Sequence, residues 1–194
     1  MMWREFCVQM LGAIVPVIAM TTAQRPVDPH LELARARDPG IVTLIRHARA
    51  PGVGDPAGFT LADCATQRNL SQQGRAEARL LGEAFGRVGV RDADVRSSAW
   101  CRCQETARLL DLGAVRTAAY LNSFFAAGSD EATATRQLRA AVLQKFESRL
   151  PTLFITHQVN ITALTGIVPA EGEAIFVRAT AAGDVQVVGR ARLP

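Results

Sequence analysis

The sequence predicts an α/β fold: a three-layer α/β/α sandwich built on a mainly parallel sheet. Short apolar runs at 41–45 (IVTLI) and 152–156 (TLFIT) have the look of strands buried on both faces. The segments between such runs carry apolar residues at helical spacing. Strand and helix patterns alternate through most of the chain, which places helices on both faces of a parallel sheet. The 194 residues suffice for one such domain with a sizeable core and an N-terminal extra.

Residues 1–23 read as a signal peptide. Arg4 precedes an apolar run at 10–20, and Thr21, Thr22 and Ala23 supply small residues for cleavage after Ala23. Glu5 weakens the positive start. The run is short and interrupted by Pro16, so no stable membrane span is expected after cleavage. An uncleaved anchor is the rival reading. Cys7 precedes the apolar run, which argues against a lipoprotein cleavage site. The expected location is periplasmic or secreted. Residues 24–40 are polar, contain Pro26, Pro29 and Pro39, and read as a linker, leaving 41–194 as the domain.

Within the domain the first strand, 41–45, leads into a loop at 51–63 with Gly52, Gly54, Pro56 and Gly58. Ser71 can cap a helix whose apolar positions are Leu80, Leu81, Ala84, Phe85 and Val88, with Gly89 ending it. A brief strand is expected at 94–98, a helix at 102–110 with Ala107 and Leu110 inward, and a third strand at 115–121. Ser129 can cap a helix with Leu138, Ala141, Val142, Phe146 and Leu150 as its stripe, broken by Pro151. After the strand at 152–156, segments 173–180 and 185–192 flank Gly183-Asp184 as a hairpin.

Apolar residues make up 48% of the chain and charged residues 21%, which excludes wholesale disorder. The net charge of +4 can steer anionic ligands, but no basic run interleaved with aromatics argues for nucleic acid. Removing the leader leaves Cys64, Cys101 and Cys103. In an oxidising compartment one disulfide and one free thiol is the simplest count. Cys101 and Cys103 are too close together to bridge each other, so Cys64 pairs with one of them, Cys101 preferred; three reduced thiols is the alternative. The Cys101-Arg102-Cys103 spacing does not suit zinc.

The chemistry gathers at strand ends, where parallel sheets bind their ligands. Arg46 and His47 follow the first strand, Ser97 and Ser98 end the second with Arg102 just beyond, and His157 follows the fourth. Of the three histidines, His30 lies in the proline-rich linker; the other two end buried strands. Paired histidines and arginines at equivalent places suit a phosphate. Arg46 and Arg102 can clamp its oxygens bidentately and lower the pKa of His47, keeping it neutral and nucleophilic. His157 can donate to non-bridging oxygens as charge redistributes, and the helix starting near Arg102 adds its positive end.

The segments LIRH at 44–47, NLSQQG at 69–74, SSAWCRCQETA at 97–107 and Thr156-His157 before an apolar helix resemble, in order, the histidine phosphatase superfamily. The likeness spans about 41–177. It implies a phosphoglycerate mutase-like fold, His47 as the phosphorylated nucleophile, Arg46 and Arg102 as phosphate-binding residues, His157 as the second pocket histidine, and no metal or organic cofactor. The implied reaction is phosphomonoester hydrolysis through a phosphohistidine, on a small phosphorylated substrate. The leader and the His157-Gln158-Val159-Asn160 run give some likeness to the lipopolysaccharide core heptose phosphatase branch, which would make that substrate a phosphorylated saccharide.

Four departures bear on mechanism. Ala48 stands where the family usually has Gly. Val53 sits near a usual Asn. The usual general-acid Glu is missing from 121–125 (LNSFF), and no Asp follows His157. Asp130 and Glu131 are the nearest replacement acids, although acidic residues in a first helical turn also simply favour the helix dipole. A leaving group good enough to need no acid is the other solution. These departures keep two alternatives open, a phospholigand-binding protein without turnover and a phosphohistidine protein phosphatase. Arg49, Trp100, Gln158, Asn160 and Glu173 are further residues that could reach the site.

Overall fold

The structure, a computed structural model, describes residues 29–125 and 130–193. The signal-peptide reading of 1–23, the first part of the expected linker and the Ser129 cap lie outside the described residues. Six strands form one sheet: β1 (Ile41–Arg46), β2 (Asp94–Ser97), β3 (Val115–Thr117), β4 (Thr152–Thr156), β5 (Ala174–Ala179) and β6 (Val185–Ala191). Their order is β3-β2-β4-β1-β5-β6. The first four of these run parallel; β5 pairs antiparallel with β1, and β6 antiparallel with β5. The parallel core therefore brings the carboxyl ends of β1, β2 and β4 to one edge, where Arg46, His47, Ser98 and His157 were expected to meet.

Residue alternation along β1 explains the layering. Ile41 and Ile45 face a core shared with Leu81 and Phe85 of α2 (Gln72–Arg87) and Cys103 and Leu110 of α3 (Cys101–Leu110). Val42 and Leu44 face the opposite core, with Leu138 and Val142 of α4 (Glu131–Leu143) and Ile161 of α5 (Gln158–Thr165). A strand whose two faces are both covered needs an unbroken apolar run, as IVTLI supplies. Among the described residues no helix is long and apolar enough to cross a membrane.

Ser71 caps α2 by accepting from the Gly74 amide at 3.0 Å. A Cβ on Gly74 would lie 2.2 Å from the Arg49 carbonyl oxygen, so glycine lets this helix seat directly on the backbone that follows His47. Gly82 does the same one layer on, 2.2 Å from the Leu110 carbonyl oxygen, where α2 crosses α3.

Some boundaries differ from expectation. The linker reading fails from residue 29: Pro29–Leu33 forms a short helix, α1, followed by a 3₁₀ turn at Ala34–Arg37, and Leu33 and Ala36 are buried in the first core. Their three-residue spacing puts both on one face, and Pro29 at the first helical position forfeits no helical hydrogen bond. The third strand ends at Thr117; a 3₁₀ turn at Ala119–Leu121 then drives Leu121 into the second core. Asp130 caps α4 through the Thr133 amide at 2.9 Å. That helix stops at Leu143 because Lys145 and Phe146 donate to carbonyls three residues back, which tightens the last turn. Phe146 and Leu150 consequently stand half exposed outside the stripe, and Leu80 likewise points away from the core.

Candidate active site

His47 is held from both sides. Its amide donates to the Thr156 carbonyl at 3.0 Å, extending the β1–β4 ladder. The next amide, Ala48, donates to Thr106 Oγ1 at 3.1 Å, and that hydroxyl donates to the Arg102 carbonyl at 2.7 Å. In the ring, Nδ1 lies 2.9 Å from the Ala48 carbonyl. A carbonyl only accepts, so Nδ1 carries the proton and Nε2 keeps its lone pair. Nε2 has no hydrogen-bond partner among the described residues. Burial pushes the His47 pKa down from 6.5 to about 3; the Ala48 carbonyl opposes this, and Arg102, Arg68 and Arg46 reinforce it. The imidazole is neutral at any ordinary pH.

His157 caps the start of α5 at the end of β4. Its ring centroid lies 5.6 Å from that of His47 and 5.2 Å from that of Trp100, both edge-on. Nε2 shares a 2.8 Å hydrogen bond with Ser98 Oγ. Burial, then the fields of His47 and the three arginines, hold this ring well below its ordinary pKa. Asn122 braces the same corner: its side-chain oxygen accepts from the Ala99 amide at 2.9 Å, and its carbonyl accepts from Asn160 Nδ2 at 2.8 Å.

The two arginines lie beside these histidines, and both are tied at one end. Arg46 Nη1 donates to the Pro169 carbonyl at 3.0 Å, with Glu171 3.7 Å from Nη2. Arg102 is 3% exposed; its Nη1 and Nη2 donate to the two carboxylate oxygens of Asp55 at 2.7 and 3.2 Å. In each guanidinium the Nε–H is buried and unpartnered among the described residues. A buried donor left unmet costs about 1–3 kcal/mol.

Asp55 and Arg68 are site residues that the sequence reading did not single out. Besides Arg102, Asp55 accepts from Trp100 Nε1 and from the Arg68 amide, each at 3.0 Å. Burial raises the Asp55 pKa, but the Arg102 hydrogen bond and these other donors outweigh it and hold the carboxyl below its usual range. Arg68 Nε donates to the Gly54 carbonyl at 2.7 Å and Nη1 to the Ala50 carbonyl, anchoring the loop after His47. Cys64 is bonded to Cys101, and Gln67 Oε1 accepts from the Cys101 amide at 3.0 Å, so the loop is clipped to the helix that carries Arg102. That pairing is the preferred one of the two that the cysteine spacing left open, and following it further would have brought Asp55 or Asp63 to Arg102. Asp63 instead accepts from the Ala65 amide in a 3₁₀ turn.

A cavity of about 350 Å³ opens at this edge of the sheet, and His47, His157, Arg46, Arg102, Arg68 and Asp55 all line it. Among the described residues Cys103 is the free thiol; burial pushes its pKa up to about 12, so it is a neutral group packed 3.5 Å from His157 Nε2. Ala48 has no left-handed backbone angle, and its methyl packs with Ala50, Leu70 and Ala78 beneath the loop, so the departure from Gly does not crowd the cavity.

The candidate acids Asp130 and Glu131 are not part of the site. Asp130 is spent as a helix cap, and neither lines the cavity; the place of the missing Glu presents Ser123 and Phe125 instead. Gln158 and Trp100 do line it. Arg49 pairs with Glu77 at 3.1 Å and Glu173 with Arg190 at 2.6 Å, both outside it.

No protein-family model matches the chain, and no curated protein matches it in sequence. Solved structures do match in fold. The protein histidine phosphatase SixA complexed with tungstate superposes at a TM-score of 0.55 and 17% identity, over 78% of this chain and 96% of that one. A mycobacterial glucosyl-3-phosphoglycerate phosphatase gives 0.54 at 14% identity, over 76% and 96%. Phosphoserine phosphatase from Entamoeba histolytica, in complex with 3-phosphoglyceric acid, gives 0.55 at 12% identity, over 79% and 97%. These neighbours establish the fold: the mixed α/β sandwich of phosphoglycerate mutase-like histidine phosphatases.

Proposed function

We propose that this protein is a phosphatase that hydrolyses small phosphomonoesters through a phosphohistidine on His47. The observation that carries the reading is the bare Nε2 of His47, fixed by the Nδ1–Ala48 hydrogen bond, beside two guanidinium groups with unpartnered Nε–H donors. In the first step the Nε2 lone pair forms a bond to phosphorus as the ester P–O bond breaks. The leaving oxygen takes its electron pair away and is protonated by water. In the second step a water oxygen attacks phosphorus, the N–P bond breaks, and inorganic phosphate leaves. Arg46, Arg102 and His157 surround the charge on the transferring group, where preorganised donors lower the barrier most.

An extracytoplasmic location is part of the proposal. The Cys64–Cys101 disulfide beside the site supports it, because such bonds persist in oxidising compartments.

The test is phosphate release from aryl phosphates by purified protein, with His47→Ala run in parallel and samples quenched in alkaline detergent probed for phosphohistidine. Release and a trapped, acid-labile phosphoenzyme that both vanish in the variant are expected. Binding of phosphate without release from any ester would instead make this a phospholigand-binding protein.

A further inference from the structure

The geometry points to aryl phosphates, esters of a phenolic hydroxyl, as the substrate class of this site; the inference rests on the phosphatase reading above. Two independent features converge on it. The first is the lack of a proton donor. Asp55 is the one carboxylate lining the cavity among the described residues. It accepts from four N–H groups: Arg102 Nη1 and Nη2, Trp100 Nε1 and the Arg68 amide. A carboxylate so engaged is held in its charged form and has no proton to give. Alkyl and sugar alcohols leave poorly without an acid, whereas a phenolate departs as a far weaker base.

The second feature is the mouth of the cavity. Above the phosphate groups the wall is apolar and aromatic: Val53, Phe59, Trp100, Phe125 and Val159. Phe59 and Trp100 stack at a tilted 6.0 Å, and Trp100 meets His157 edge-on, so aromatic surface runs continuously from the histidines to the rim. Val53 is 89% exposed and Phe125 61% exposed. Large apolar side chains held open beside a phosphate pocket offer a surface to the organic half of a ligand. A saccharide would need partners for its hydroxyls. Among the described lining residues only Ser123 and Gln158, besides the two histidines at the base of the site, are uncharged polar groups, so the heptose phosphate expected from the sequence is not favoured. A planar ring seated among Phe59, Trp100 and Phe125 gains contact without such partners.

The experiment separates binding from turnover. Calorimetry on the full chain compares phenylphosphonate with methylphosphonate, neither of which can be hydrolysed. Turnover is compared for phenyl phosphate, hexyl phosphate, acetyl phosphate and glucose 6-phosphate. Phenylphosphonate should bind about 10-fold more tightly than methylphosphonate, and Phe125→Ala and Val53→Ser, both at exposed positions, should shrink that ratio. Phenyl phosphate should exceed hexyl phosphate in kcat/KM by about 100-fold or more, the size of the missing acid contribution. Acetyl phosphate, whose carboxylate leaves more readily still but carries no ring, should equal or exceed phenyl phosphate in kcat with a higher KM. Equal binding of the two phosphonates, or glucose 6-phosphate turned over as well as phenyl phosphate, would overturn the inference. A phenyl preference in binding with no turnover of any ester would support the aryl site and overturn the phosphatase reading.

Discussion

Mild acid should destabilise this protein through the two buried histidines of the cavity, His47 and His157. In the folded chain His47 does not take up a proton until about pH 3, whereas the unfolded side chain does so around 6.5. Between those values the unfolded state binds more protons, so stability falls as pH falls through the window and is fully present above it. From pH 7 to about pH 4.5 this linkage amounts to about 2.5 kcal/mol for His47 alone. His157 is displaced in the same direction and adds to the loss. The total is a large fraction of the 5–15 kcal/mol typical of a domain. The window lies above the carboxylate range: Asp55 and Asp94 are held low in the fold, and their contribution is lost mainly as pH falls through the unfolded carboxylate value of about 4. The one other histidine is His30. Urea denaturation at pH 7 and at about pH 4.5 measures it: for a domain of this size the midpoint should drop by about 1 M or more in the native chain. His47→Gln should remove the His47 share of that drop and keep the His157 share. Equal drops in the native chain and the variant would refute the claim that a buried, neutral His47 is the cause. The same shift predicts that kcat/KM will show no loss of nucleophile as pH falls from 7 to about 5, wherever the chain stays folded.

Two further outcomes follow from the loop over the site. Asp55→Ala leaves the Arg102 guanidinium buried without its counter-ion, which should cost about 3–5 kcal/mol of stability without ligand. Millimolar phosphate or tungstate should restore part of that loss by supplying another anion, read as a larger ligand-induced rise in Tm than the native chain gives; no added rise would mean that Arg102 does not face the anion. Cys64→Ser opens a loop whose ends are 37 residues apart. It should lower stability by about 3–4 kcal/mol and raise KM more than it lowers kcat, because it frees the Asp55 segment without touching His47. An unchanged KM would show that the clip does not position the site.

The outline of the fold was legible because burial on both faces leaves a mark in one dimension. Runs such as IVTLI and TLFIT have few other uses, and helical spacing after Ser71 marks α2 out plainly. Residues 29–37 were not legible, since two apolar residues, Leu33 and Ala36, in a polar, proline-bearing stretch carry no strong period; α1 and the turn after it are held by docking rather than propensity. His47, His157, Arg46 and Arg102 were legible because each ends, directly follows, or lies close after a strand of the parallel core, so the sheet alone gathers them. Asp55 was not, because a loop acid acquires its meaning only when a disulfide and a glutamine fold it onto a helix.

The sequence by itself determined the layers and the strand ends that gather the candidate residues, since these follow from period and adjacency along the chain; for the cysteines, spacing only ruled out a Cys101–Cys103 bridge. Only the tertiary structure decided which acid meets Arg102, that Asp130 and Glu131 stand apart, and that the cavity mouth is aromatic. Those outcomes depend on how loops close through space, and loop closure is set by a few long-range bonds that no local pattern encodes.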